Sequence, residues 1–234
     1  MLTNQSEKNE MTPKKSASAK TEKAKHKKPK TVARKRLTQA ERSNISEKRI
    51  FDAAVKLICE HGSHNTTLKD IGEQAGYSRA LPSHRFGSKE AFLRHLITNF
   101  NNHWAHVLRE SVKDLDGIAA IEKSLATVQK FLLSEPHYMR AMYILWYESI
   151  ASFEQIRAQL SIQHERYRQD VVKWASRGMA EGTIRSDISP RAISVQFCSF
   201  IFGTIYQWLV NPSAIDIRDS FETFQVNFLV MIRA

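Results

Sequence analysis

Apolar residues recur at intervals of three and four along this sequence from Ser46 to its end, and no segment shows a sustained alternation of apolar and polar residues. Intervals of three and four are typical of an α-helix with one buried face, whereas alternation would indicate a β-strand. The pattern is interrupted at glycines, prolines and hydroxyl residues that suit helix ends. The sequence therefore predicts an all-α fold of about nine helices in two parts.

Two short helices separated by a tight turn are predicted between Thr67 and Arg85. Thr67 and Asp70 have the spacing of a capping box at the start of the first helix. Gly76 interrupts that helix, and Ser78 is placed as the N-cap of the second. Two short helices joined in this way outline a helix-turn-helix, whose second helix lies in the major groove of DNA.

Five motifs follow one another over about fifty residues: RI-x-x-AA-x-x-L, EHG, TT-x-x-DI, E-x-AG-x-SR and HRFGSKEAF. On these motifs the chain resembles the TetR family of transcriptional regulators. Further on, AEGTIRSDISP and GTIYQW resemble the carboxy-terminal end of the family. The resemblance implies a helix-turn-helix DNA-binding domain over residues 46–106, with its motif at 67–86. It also implies a helical effector-binding and dimerisation domain over residues 107–234.

We expect the DNA contacts to come from the second helix of the motif and from two neighbouring helix starts. Side chains of the second helix can meet base edges, and residues at helix starts are placed for phosphate oxygens. The predicted DNA-binding residues are Thr67, Lys69, Ser78, Arg79, Leu81, Ser83, His84, Arg85 and Lys89. Which face of the helix meets the bases stays open. Tyr77 and Phe86 are expected in the core instead.

The second helix departs from the family pattern. Members commonly carry Leu and two aromatic residues before the His-Phe pair, whereas this chain has Pro82, Ser83, His84 and then Arg85-Phe86. Pro82 has no backbone N–H, so we expect a short or bent helix. On this expectation His84 and Arg85 take over the phosphate contact that the resemblance implies for an aromatic residue.

The positive charge of the chain is concentrated at its beginning. Of a net charge of +11, residues 1–45 contribute 13 Lys and Arg against 4 Asp and Glu. These residues include too few large apolar side chains to offset the entropy lost on ordering, so we expect a disordered basic arm over residues 1–45. Such an arm attracts polyanions, and it can dock on DNA phosphates, coat an anionic membrane or only solvate the chain. A rival class is an architectural DNA-binding protein that acts through the arm alone.

Aromatic and methionine side chains are frequent in the predicted fourth to seventh helices. A packed core accounts for any one of them, but the resemblance implies an effector cavity between these helices. The candidate effector-binding residues are Phe100, His103, Trp104, Met139, Tyr143, Trp146, Tyr147, Tyr167 and Trp174. His103, Glu148 and His164 are the candidate polar contacts. The expected effector is a small apolar or aromatic molecule, because such cavities are mostly apolar.

The last two predicted helices, residues 189–210 and 216–233, are expected to form a homodimer interface, because a palindromic operator requires a protein with two-fold symmetry. The predicted interface residues are Ser199, Gly203, Ile205, Trp208, Phe224 and Phe228. The alternative is a helix pair buried inside one protomer. Residues 192–215 carry no charge and are long enough to span a bilayer, but their small and polar residues at helical spacing favour a packed helix.

No nucleophile elbow, P-loop or dinucleotide-binding motif is present, so neither enzymatic activity nor a cofactor is expected. The histidine pairs at 61 and 64 and at 103 and 106 lack cysteine or acidic partners at zinc-like spacing, so we expect no metal site. Two cysteines in apolar patterns suggest a reduced, cytoplasmic protein with no membrane partner. The sequence predicts a ligand-responsive transcriptional regulator on DNA: a homodimeric repressor that binds a palindromic double-stranded operator and is released by its effector.

Overall fold

The computed structural model describes residues 38–234. Over that range the chain forms nine α-helices and no β-strand beyond one isolated bridge between Ile184 and Arg233. The helices are α1 (Gln39–Asn65), α2 (Leu68–Gln74), α3 (Leu81–Phe86), α4 (Lys89–Val112), α5 (Gly117–Ser134), α6 (Pro136–Ala151), α7 (Glu154–Ala180), α8 (Pro190–Val210) and α9 (Ile217–Ile232). The predicted all-α fold is confirmed.

The first helix begins earlier than predicted. The hydroxyl of Thr38 accepts a hydrogen bond from the backbone N–H of Glu41, and the Glu41 carboxylate accepts one from the N–H of Thr38 at 2.7 Å. This capping box starts α1 at Gln39. Residues 39–45 are therefore helical, and the predicted disorder is wrong for them because the box was overlooked. The rest of the basic arm, residues 1–37, lies outside the described residues.

The helix-turn-helix is held by a small aromatic core between α1, α3 and α4. The Phe86 ring lies 5.9 Å from the ring of Phe51 and 5.1 Å from that of Phe92, measured between centroids. Phe51 and Phe92 are buried, and Tyr77 and Phe86 are half-buried against the same core. The prediction that Tyr77 and Phe86 belong to the core is confirmed.

Helix α4 extends from this aromatic core into the rest of the protein. Phe92 on its first half is buried beside Phe51 of α1 and Phe86 of α3, and Phe100 on its second half is buried among residues of α5 and α6. Residues 38–234 pack as one compact unit. A movement of α4 therefore reaches both halves of that unit.

Helix α8 is the one helix in the described range that is long and apolar enough to cross a membrane, by length and composition alone. Ile193, Phe197 and Ile201 on one side of it are buried in the protein. Its opposite side leaves Val195 and Val210 exposed. The helix is therefore apolar on both sides but covered by the protomer on only one.

Candidate functional site

The turn between α2 and α3 depends on the absence of a side chain at Gly72. A Cβ atom at this position would lie 2.7 Å from the carbonyl oxygen of Ser78 and 3.0 Å from Cδ of Pro82. The carbonyl of Gly72 also accepts a hydrogen bond from the N–H of Tyr77 at 2.9 Å. Gly72 therefore lets the chain return close to α2, which sets the direction of α3. Sequence analysis missed this residue, because its only signal is a glycine inside a helical pattern.

Helix α3 is shorter than predicted and begins later. It spans Leu81–Phe86, and Ala80 precedes it without any side-chain cap. Ser78 is therefore not the N-cap that the sequence suggested, and with Arg79 it lies before the helix. Pro82 falls in the first turn, where a missing N–H breaks no helical hydrogen bond, so the helix tolerates it. The expectation of a short helix is confirmed.

Four polar residues beside and on α3 are exposed: Ser78, Arg79, Ser83 and His84. The Arg79 guanidinium pairs with Glu73 on α2, with Nη2 2.7 Å from Oε2. Both side chains are more than half exposed, and an ion pair in water contributes little to stability. Arg79 can therefore exchange Glu73 for an acceptor on DNA at low cost. Leu81, which was predicted as a base contact, is half-buried against the core.

Arg85 is directed towards α1 rather than outward. Its guanidinium donates to the hydroxyl of Ser46 at 2.8 Å and to that of Ser43 at 3.0 Å, and it pairs with the Glu47 carboxylate. Only 23% of the Arg85 side chain is exposed. The predicted phosphate contact by Arg85 is therefore contradicted in this conformation, since its donors are already used. Arg85 instead fastens α3 to α1.

The residues at the two helix starts next to the motif differ in how far their side chains are exposed. Thr67 and Lys69 are exposed at the start of α2, and the hydroxyl of Thr67 accepts from the N–H of Asp70, as the capping box predicted. Hydrogen bonds from Thr67 lower the pKa of Asp70. Lys89 is half-buried, and its Nζ donates to the carbonyl oxygen of His64 at 2.8 Å. Burial lowers the pKa of Lys89, whose ammonium caps the end of α1 in this conformation rather than being free for the predicted phosphate contact.

An apolar cavity of about 80 Å³ lies between α4, α5, α6, α7 and α8. Its lining consists of Phe100, Trp104, Leu108, Ser124, Val128, Phe131, Met139, Tyr143, Trp146, Tyr167, Asp170, Val171, Trp174, Phe197, Cys198, Ile201, Phe202 and Ile205. Pockets that hold drug-sized molecules usually measure about 300–1,000 Å³. A ligand of that size must therefore push the lining side chains apart.

Seven of the nine predicted effector residues line this cavity. His103 does not, because it is exposed on the outer side of α4 beside Phe131. Tyr147 does not either, since it is 49% exposed and packs on Tyr206. Sequence analysis also missed α8, which supplies five lining residues, because its apolar residues were assigned to the subunit interface.

Most hydroxyl groups of the cavity wall are already paired within the protein. Tyr143 donates to the carbonyl of Phe202, and Tyr167 donates to the side chain of Asn101, both at 3.1 Å. Among the described residues, Trp146 Nε1 and His164 Nε2 are buried without a hydrogen-bond partner. Burial lowers the pKa of His164, which favours its neutral form. The indole N–H of Trp146 can therefore donate a hydrogen bond to an oxygen or nitrogen atom of a ligand.

Helix α6 connects this cavity to α1. Its inner face contributes Met139, Tyr143 and Trp146 to the cavity wall. Its other face is hydrogen-bonded to α1 along its length, through three pairs: Tyr138 with Asp52, His137 with Cys59, and Glu148 with Ser63. One helix thus carries the cavity wall and is hydrogen-bonded to α1.

Glu148 was predicted as a polar contact for the effector, and the structure contradicts this. Its carboxylate accepts from the backbone N–H of Ser63 at 3.2 Å and from the hydroxyl of Ser63. A second contact lies beside it, where the ring of Phe153 stacks on that of His64 with centroids 5.2 Å apart. Phe153 adopts a left-handed backbone conformation (φ 60°), which is unusual for a bulky residue and directs the chain from α6 into α7.

Only part of the predicted subunit interface is accessible on the protomer. Ser199 is exposed, and Gly203, Trp208 and Phe224 are half-buried. Ile205 and Phe228 are buried within the protomer, so their predicted interface role is wrong. The reason is that α8 is apolar on nearly all sides, so that spacing alone did not identify its outer face.

Exposed apolar residues on α8 and α9 complete this surface. They are Val195, Tyr206, Val210, Val226 and Val230, with exposed fractions between 43% and 75%. A Cβ atom at Gly203 would meet nothing within 4 Å, which leaves room there for another helix to approach. An apolar surface shared by two helices is typical of a protein–protein contact.

The geometry agrees with comparisons to known proteins. The probable HTH-type transcriptional regulator ArpR of Pseudomonas putida is 24% identical over 199 residues, which cover 82% of this chain and 94% of ArpR. The crystal structure of NalD, the secondary repressor of the MexAB-OprM multidrug efflux pump in Pseudomonas aeruginosa, is similar with a TM-score of 0.67 and 20% identity, covering 82% of this chain and 98% of NalD. A complex of triclosan with SmeT, the repressor of a Stenotrophomonas maltophilia multidrug efflux pump, gives a TM-score of 0.70 and 18% identity, covering 81% and 92%.

The two structural likenesses establish the fold. The family model of the bacterial regulatory proteins of the tetR family matches residues 50–96, which include α2, α3 and the turn at Gly72. The relatives that span most of the chain are regulators of transcription. Residues 50–96 therefore match the TetR family, and the chain is a DNA-binding regulator of transcription similar to members of that family.

Proposed function

We propose that this protein is a repressor that binds a palindromic operator as a homodimer and leaves it when a small effector enters the cavity. The observation that carries the proposal is the double role of α6, which walls the cavity on one face and is hydrogen-bonded to α1 on the other. Residues 46–106 serve as the DNA-binding domain in this proposal, and residues 107–234 serve as the effector-binding and dimerisation domain. The protein acts in the cytoplasm, on DNA.

DNA is contacted by the exposed residues around α3. Arg79, Ser83 and His84 face the bases or the neighbouring phosphates, and Thr67 and Lys69 hold phosphates at the start of α2. The exposure of these five side chains supports the assignment. Arg85 and Lys89 do not contact DNA in this proposal. They hold α3 and the end of α1 in place through their contacts within the protein.

The dimer forms through the outer faces of α8 and α9. The exposed valines and Tyr206 on these helices support this surface, since burial of apolar area drives association. A two-fold arrangement there would carry two α3 helices to successive major grooves, about 34–36 Å apart.

Release of DNA follows from the small size of the cavity. An effector larger than the existing space displaces α6, α4 or both, and thereby moves α1 and α3 in each protomer. The effector then favours the displaced state by its differential affinity for the two states, and operator binding weakens by the same free energy. The relatives NalD and SmeT, which are repressors of efflux pumps, and the triclosan bound to SmeT support this kind of regulation.

The decisive experiment is selection of bound duplexes from a random pool by the purified full-length protein. A repressor of the proposed kind enriches an inverted repeat with half-sites about one helical turn apart. A chain that binds DNA only through its Lys-rich segment enriches no sequence and loses every complex to excess random DNA.

The contribution of the basic segment is tested separately, by removing residues 1–36. If this segment docks on phosphates, the deletion flattens the dependence of log affinity on log salt. An unchanged slope would assign the segment to solvation only.

A further inference from the structure

Arg85 fixes the first turns of α1 against the end of α3. Its guanidinium donates to the hydroxyl groups of Ser43 and Ser46 at 3.0 and 2.8 Å, and to the backbone carbonyl of Ser43 at 3.3 Å. It also pairs with the Glu47 carboxylate. Because the Arg85 side chain is mostly buried, these contacts are shielded from water and are stronger than those of a surface ion pair. The start of α1 therefore keeps a defined position beside α3.

This contact places the beginning of the described chain close to α3. Thr38 caps α1 and lies five residues before Ser43, an axial distance of about 8 Å at a helix rise of about 1.5 Å per residue. Ser43 is hydrogen-bonded to Arg85 in the last turn of α3. The major groove that receives a recognition helix is about 12 Å wide. Thr38 therefore lies no more than about one groove width from the Arg85 guanidinium.

The residues just before Thr38 are strongly basic. Arg34, Lys35 and Arg36, here called the basic triplet, belong to residues 1–37, which precede the described range and contain 12 Lys and Arg against 3 Asp and Glu. An extended chain advances about 3.3 Å per residue, so about four residues span one groove width. The basic triplet can therefore reach the phosphates at the edge of the groove that α3 occupies, where lysine and arginine bind by releasing counterions.

We propose that Arg85 is a positioning residue for the basic segment. By holding the start of α1 against α3, it places the basic triplet beside the phosphates next to each half-site. Lys14, Lys15 and Lys20 are tethered by a longer stretch of chain, so their effective concentration at these phosphates is lower. This inference rests on the proposed operator binding, and it adds which charges of the segment contact DNA and which residue places them there.

The first test compares two triple variants of the full-length protein that lose the same charge. One carries Arg34→Gln, Lys35→Gln and Arg36→Gln, and the matched control carries Lys14→Gln, Lys15→Gln and Lys20→Gln. Operator affinity is measured by fluorescence anisotropy between about 50 and 200 mM salt. Each phosphate contact contributes about 0.9 to the slope of log affinity against log salt. Loss of the basic triplet should therefore lower the slope by about 2–3 for each protomer bound, and the control should lower it by less than half as much.

The second test combines the basic-triplet variant with Arg85→Gln. Without the guanidinium contacts the start of α1 is no longer held at α3, so loss of the basic triplet should change the slope by less than half of its effect in the wild-type background. Arg79→Ala, whose ion pair is with α2, weakens operator binding without loosening α1, and in this control the effect of the basic triplet should be unchanged. If Arg85→Gln binds no operator, Ser43→Ala with Ser46→Ala loosens the same contact from α1 and takes its place.

Two results would overturn the inference. An equal change of slope in the two triple variants, or none in either, would show that the basic triplet has no special place on DNA. An unchanged effect of the basic triplet in the Arg85→Gln background would show that Arg85 only stabilises α3. Both results leave the proposed function intact, which fails instead if the selection from a random pool enriches no inverted repeat.

Discussion

The contact between Glu148 and Ser63 should stabilise the protein measurably and should also transmit the effector signal. Ser63 is fully buried, and both its N–H and its hydroxyl donate to the Glu148 carboxylate. In Glu148→Ala these two donors lose their acceptor, and the burial of Ser63 limits their access to bulk water. We therefore expect lower stability and weaker coupling between the cavity and α1.

The expected loss of stability in Glu148→Ala follows from the type of hydrogen bond and from the exposure of Glu148. A hydrogen bond to a charged group contributes about 1.5–3 kcal/mol when buried. Glu148 is half-buried, so water replaces part of the loss, and we expect Glu148→Ala to lower the free energy of unfolding by about 1–2 kcal/mol. Glu148→Gln retains one carbonyl acceptor and should lose about half as much. A double-mutant cycle with Ser63→Ala should give a coupling energy of about 1 kcal/mol.

Urea unfolding followed by circular dichroism measures the stabilities, at one protomer concentration for all variants because dimer stability depends on concentration. Fluorescence anisotropy with labelled operator measures the dissociation constant for the operator with and without effector. The ratio of these two constants is the release ratio, which we expect to fall in Glu148→Ala. Glu154→Ala, at an exposed acid without a described side-chain contact, is the control. Strictly additive effects of the Ser63 and Glu148 substitutions would show that the two residues do not interact. A normal release ratio in Glu148→Ala would refute the coupling through α6.

Three further outcomes are expected. Arg79→Ala should weaken operator binding by about 1–3 kcal/mol and relax the sequence preference at one position, and unchanged affinity would remove Arg79 from the interface. Val226→Glu places a charge on the exposed face of α9 and should shift light-scattering mass from dimer to monomer; an unchanged dimer would exclude this face. Hydrogen bonds from Arg191, Gln169 and Arg168 lower the pKa of Glu165 from 4.5 to about 2, so its stabilising effect is present above about pH 4.5 and is lost as the pH falls towards 2. Glu165→Gln should therefore flatten the fall of the thermal midpoint over that range, and parallel curves would contradict the ion pair.

The sequence predicted what depends on neighbouring residues along the chain. The capping box at Thr67 and Asp70 is a local pattern, and the structure has it. The short α3 was also expected, since Pro82 restricts its own backbone. These features need no knowledge of the tertiary structure.

The predictions that differ from the structure concern contacts between segments that are distant along the chain. Arg85 was predicted on DNA because one of its partners, Ser43, was assigned to the disordered arm, and the sequence does not show that Ser46 and Glu47 lie beside α3. Ser78 resembled an N-cap, but the position of the turn is set by its approach to Gly72 on another helix. Glu148 was placed in the cavity because spacing shows which residues share a face of α6 but not which face is turned to α1.

The cavity of about 80 Å³ also sets a threshold of ligand size. Under the proposed release mechanism, a compound that fits the existing space does not require α6 to move, so it gives the released form no advantage in binding. Such a compound would occupy the cavity without releasing the operator and would compete with larger inducers. The proposed mechanism therefore makes the response depend on the bulk of a ligand as well as on its chemistry.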